Sequence, residues 1–120
     1  MKMPISEVID RYTITLLKKN RTTEDVADEL STYKKEIDLY PDVDSYINRL
    51  YFVNGKIWDT EKDIRNGSEG NYSLEEIGKL ALKVRDLNRD RNGVKAEIVE
   101  KFHEGFKELK VNYRKVDYGS

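Results

Sequence analysis

Two columns of polar side chains interrupt apolar stripes in this chain, and their residue types suit the capture of an anion. Asn54, Trp58, Glu61 and Arg65 follow one another at steps of 4, 3 and 4, so on a helix an amide, an indole, a carboxylate and a guanidinium share one face. Asn88, Arg91, Asn92 and Lys95 form a second column. Facing each other, the columns would offer paired donors to phosphate from arginine and a flat surface for a ring, a set suited to a small, nucleotide-like anion. The same residues have a structural reading. Asn54 and Glu61 stand on the stripe Val43, Ile47, Leu50, Asn54, Ile57, Glu61, Ile64, and Arg91 on Ile77, Leu80, Val84, Leu87, Arg91, Val94, Ile98. A charge or amide on a packed seam costs stability unless partnered, and such partners fix register and oligomer number. The spacing predicts Glu61 opposite Arg91 or Arg85 and Asn54 opposite Asn88, with Asp10-Arg11 offering a further pair.

Other chemistry finds less support. The chain has no cysteine and one histidine, which removes disulfides, thiolate catalysis and most zinc or triad arrangements. Asp59, Glu61, Asp63, Glu97 and Glu100 can be sketched as a magnesium site of a nucleotide hydrolase, but Glu61 lies well around the helix from Asp59 and Asp63. No metal or cofactor is expected. His103, beside Phe102, suits a cap or a surface position. Basic and acidic residues number 22 and 23 and interleave, as in Arg85, Asp86, Arg89, Asp90, so no field for DNA or RNA develops. No apolar run approaches membrane-spanning length, and Met1 to Pro4 lack a signal-peptide core, so a cytoplasmic location is expected.

The elements that must position these columns follow from periodicity and punctuation. Pro4-Ile5-Ser6-Glu7 reads as a helix start, with Ile5, Val8, Ile9, Tyr12, Leu16 and Leu17 on one face and cations from Lys18 to Arg21 at its end. Thr22 or Thr23 is expected to cap a second helix carrying Glu24 and Asp25 in its first turn, with Val26, Leu30, Tyr33, Ile37 and Tyr40 as its stripe and Pro41 as its stop. A third helix spans about 42–65, and 66–71 reads as a loop. Ser73 and Glu76 spell a capping box for a fourth helix that keeps its phase across Asn92-Gly93 and onward to Phe102, Phe106 and Leu109.

Three segments carry a resemblance: Glu7 to Ile14; Leu50 to Arg65, around Trp58-Asp59-Thr60-Glu61-Lys62-Asp63-Ile64-Arg65; and Leu87-Asn88-Arg89-Asp90-Arg91-Asn92. They resemble small uncharacterised helical proteins of bacteria and phages that share a Leu-Trp-x-x-Glu-Asp-x-x-Arg and a Leu-Asn-x-x-Arg-Asn motif. The chain departs from them at Lys62, where the second acidic residue stands, and at Gly93, where an acidic residue often follows. The resemblance implies an all-helical cytosolic protein, in a host cytoplasm if viral, and brings no established chemistry.

The combined expectation is an all-α protein of about four helices built on a long antiparallel helical hairpin, with one domain over 1–110 and a flexible tail over 111–120. Eight tyrosines suit half-polar interfaces, and the expected state is a homo-oligomer. The expected function is non-enzymatic sequestering of an anionic nucleotide-like ligand, in the manner of a phage anti-defence sponge, by Asn54, Trp58, Glu61, Arg65, Asn88, Arg91, Asn92 and Lys95. The alternatives are a protein-interaction module whose polar seam is structural and a magnesium-dependent nucleotide hydrolase.

Overall fold

A computed structural model describes residues 3–103, and these fold into four helices: α1 (Ile5–Arg21), α2 (Ala27–Ile37), α3 (Asp44–Ser68) and α4 (Leu74–Phe102). Among the described residues no strand occurs and no helix is long and apolar enough to cross a membrane. Phe106 and Leu109, expected on the stripe of the fourth helix, and the tail over 111–120 lie outside the described residues.

α1 sits at the centre, packed on α2, α3 and α4. It starts where Pro4, which needs no N–H of its own, accepts from the amides of Glu7 and Val8. It stops where both the N–H and the hydroxyl of Thr22 donate to the Lys18 carbonyl. Ile5, Val8 and Ile9 meet Leu50 and Val53 of α3 and Val94 and Ile98 of α4 in one buried cluster, closed by Ile37 and Val43. Leu50, Ile9 and Ile98 are fully buried, and each such side chain contributes about 1.5–3 kcal/mol.

α2 starts later than its sequence suggests. Thr22 and Asp25 do accept backbone N–H groups, from Glu24 and Ala27, but in the linker, and α2 begins at Ala27. The expected stripe holds nonetheless: Val26 and Ile37 are buried and Leu30 and Tyr33 half-buried. The turn after α2 places Asp42 at φ 56°, and its carbonyl accepts from Lys101 while Tyr40 packs edge-on against Phe102, 5.1 Å between ring centres. The end of α4 is thereby fastened to the start of α3. His103 then closes α4 in the left-handed conformation.

α4 opens with both halves of the capping box, Glu76 N–H to Ser73 Oγ and Ser73 N–H to Glu76 Oε1. It passes through Asn92-Gly93 without a break. Glycine costs about 1 kcal/mol inside a helix, less than the burial of Val94 and Ile98 on the following turn contributes.

The predicted loop over 66–71 is a correction: α3 runs on through Gly67 and Ser68. The Gly67 carbonyl accepts from the amides of Gly70, Asn71 and Tyr72, and the Tyr72 ring folds back over Gly67 while its hydroxyl donates to Asp63. A Cβ at Gly67 would lie 2.0 Å from the ring, so this glycine is required by close approach. Gly67→Ala is expected to cost about 1–3 kcal/mol in urea unfolding, because the ring must leave its seat, with the Tyr72–Asp63 bond lost with it.

Candidate ligand-binding cleft

The polar layer is organised by a residue outside the two columns. Asp10, on α1, is 1% exposed, and its carboxylate is gripped from two helices. Arg91 donates from Nε to Oδ1 at 3.0 Å and from Nη2 to Oδ2 at 2.5 Å, a two-pronged contact, and Asn54 Nδ2 donates to Oδ1 at 3.0 Å. The second N–H of Asn54 goes to Thr13 Oγ1 at 2.9 Å, and that hydroxyl donates to the Asp10 carbonyl at 2.7 Å. Lys95 Nζ lies 4.0 Å from Asp10 Oδ2 and pairs with Glu7 at 2.6 Å. Burial is the largest single influence on the Asp10 carboxyl and pushes its pKa up. The hydrogen bonds from Arg91 and Asn54, with the charges of Arg91 and Lys95, outweigh it and hold the group below its ordinary value. The bond to Asp10 in turn raises the pKa of Arg91 against the opposing effect of burial.

Two expected pairings are therefore not made. Arg91 turns to Asp10 and not to Glu61, which is exposed and adds only longer-range attraction. Arg85 bonds Asp86, its neighbour in the chain. Asn54 spends its amide on α1 and not on Asn88, whose Oδ1 accepts from Arg91 Nη1 at 3.4 Å.

Beside this layer opens a cleft of about 450 Å³, within the range of small-molecule sites. Ile14, Leu17 and Ile57 give it an apolar floor, and Asn54, Trp58, Glu61, Arg65, Asn88 and Arg91 line the rest. Six of the eight predicted site residues thus share one cavity. Lys95 does not line it, being turned to Glu7 and Asp10, and neither does Asn92, which is exposed. Arg21 fixes one side: it pairs with Asp59 at 2.6 Å, donates to the Gly55 carbonyl at 3.5 Å, and its guanidinium stands 5.9 Å from the Trp58 ring centre. A second hollow, of about 320 Å³, shares Ile14 and Arg91 with the first and runs between α1, Glu29 and Tyr33.

The valences left open on the cleft wall follow by subtraction. Each nitrogen of Arg91 is engaged once and its charge is matched by Asp10, which leaves two of its five N–H donors, one on each Nη, uncommitted. Asn54 is 5% exposed, and its Oδ1 accepts no hydrogen bond from a described residue. The side chains of Glu61 and Arg65 make neither an ion pair nor a hydrogen bond with a described residue. Of the carboxylates considered for magnesium, Asp59 is taken by Arg21, Glu97 by Arg49 and Asp63 by Tyr72. Among the described residues no three His, Cys, Asp or Glu side chains converge to hold a metal ion.

Asp10 and Thr13 escaped the sequence-based site set, although a signal existed. Ser6, Asp10, Thr13 and Leu17 run at steps of 4, 3 and 4 beside the apolar face of α1, a seam rhythm carried mostly by polar residues. All four are buried.

Comparison with known proteins finds no matching family model, no matching curated protein and no matching solved structure.

Proposed function

We propose that this protein binds and sequesters a small nucleotide-like anion in the cleft between α1, α3 and α4, without turning it over. The observation that carries the proposal is the Asn54 Oδ1: a buried acceptor with no donor among the described residues, on a side chain that lines a cavity of ligand size. A buried polar atom left unpaired costs about 1–3 kcal/mol, which a bound donor would recover. Trp58 and the apolar floor suit a planar ring, and the open guanidinium of Arg65 suits a phosphate. The anion-binding role passes to Arg65 because Arg91 already neutralises Asp10.

The test is retention of nucleotides and cyclic nucleotides by the purified protein, followed by release on denaturation. Recovery of an intact nucleotide is the expected result, and a cleaved product sinks sequestering. Trp58→Ala is expected to weaken binding about tenfold or more by calorimetry, since ring stacking contributes about 1–3 kcal/mol per base.

A second reading has its own observation. The Asp10–Arg91–Asn54 network, whose carboxylate finds its partners within one chain, is what a structural seam in an interaction module requires. The long α3–α4 hairpin and self-association belong to that reading: Leu74 is 91% exposed and Leu82 51%, both on α4, where a second copy would cover them. Absence of nucleotide retention together with a concentration-dependent mass in sedimentation would favour it.

A further inference from the structure

We infer that the cleft selects guanine over hypoxanthine, adenine and cytosine and that Glu61 reads it, an inference that rests on the nucleotide reading above. The open valences determine which edge of a base the wall can meet. Asn54 has committed both N–H groups, so it offers an acceptor only. Asn88 has committed its carbonyl to Arg91 and keeps its N–H groups. Glu61 offers two carboxylate oxygens with no described partner, in the same cavity as both amides.

A carboxylate accepts best from two parallel N–H donors, as it does from arginine. Guanine carries adjacent donors on one edge, the ring N1–H and the exocyclic N2 amino group, with the O6 acceptor next to them for a donor such as the Asn88 amide. Hypoxanthine keeps N1–H and O6 but lacks the amino donor. Adenine and cytosine present a ring lone pair at that position, which a carboxylate repels. The Glu61 carboxylate then faces a lone pair in place of a donor, and such a mismatch discriminates more strongly than shape alone. Arg65, one helical turn from Glu61, supplies the positive charge that a guanine nucleotide's phosphate needs, so the free pair matches a ligand with donors at one end and an anion at the other.

The experiment is calorimetric titration of the full chain and of Glu61→Gln with GMP, IMP and AMP. Glu61 is exposed and bonds to no described residue, so the variant should keep the helicity and melting temperature of the parent. The expected order for the parent chain is GMP, then IMP about tenfold weaker for one lost charge-assisted hydrogen bond, then AMP about a hundredfold weaker or more. Glu61→Gln should bring GMP down to within about threefold of IMP, because a neutral amide cannot accept from both donors. Equal affinity for GMP and AMP, or a GMP preference that survives Glu61→Gln, overturns the guanine assignment while leaving the nucleotide reading standing. Failure of all three nucleotides to bind the parent chain overturns both.

Discussion

Arg91→Ala is expected to lower the unfolding free energy by roughly 3–5 kcal/mol, the cost of breaking a buried ion pair from one side. The size follows from what is left behind. Asp10 is 1% exposed, and without the guanidinium its carboxylate keeps one N–H from Asn54 and a Lys95 ammonium 4.0 Å away that is already held by Glu7. Arg91→Lys restores charge but not the two-pronged contact or the bond to Asn88, so an intermediate loss of about 1–2 kcal/mol is expected. The double variant Asp10→Leu with Arg91→Met should lose less than the sum of its single changes, because it removes the stranded charge with its partner. Urea unfolding at neutral pH measures the parent and five variants, the single changes Asp10→Leu and Arg91→Met included. A loss under about 1 kcal/mol for Arg91→Ala would mean that water or a rearranged Lys95 satisfies Asp10, and the network would lose its structural standing. The size of this effect also bears on function. Lost binding in Arg91→Ala would report the fold as much as the cleft, which is why Trp58 and Glu61 are the better binding probes.

How far the polar layer could be read from the sequence depends on what periodicity encodes. A seam identifies the inward face of a helix, and Leu50, Asn54 and Ile57 are buried as their spacing requires. It does not say how far along that face another helix reaches. α1 ends at Arg21, which lies against Gly55 and Asp59, and beyond Thr60 the α3 stripe borders the open cleft. Glu61 is exposed for that reason, though it occupies the same stripe as Asn54. The pairing errors have a similar origin: opposite charges on α3 and α4 suggested Glu61 with Arg91, whereas burial decided for Asp10, the carboxylate that cannot reach water. The capping box of α4 was legible because its two hydrogen bonds are local. The end of α3 was not, because loop-like composition around Gly67 was overridden by the Tyr72 ring packing on it.

Acid provides the second large effect. Asp10 is held below its ordinary value of 3.8, so the folded state binds its proton less readily than the unfolded chain does. The stabilisation from this group is fully present above that ordinary value and is lost as pH falls toward the lower folded value, where protonation of Asp10 favours unfolding. Unfolding free energy should therefore rise with pH across that window and level off above it. Asp10→Asn removes the titration. At neutral pH it is expected to cost roughly 2–3 kcal/mol, since the amide cannot accept both prongs of Arg91 and leaves a half-buried cation short of its counterion. The gap between parent and variant should close as pH falls through the window. Glu97, also lowered by its partner Arg49, provides the internal control. Its pair is exposed, so any contribution from Glu97→Gln should disappear in high salt, while the Asp10 difference should persist because the Asp10 carboxylate is itself buried. A parent and an Asp10→Asn chain with parallel pH profiles would show that Asp10 has the same proton affinity folded and unfolded, and the buried network would then contribute geometry without charge.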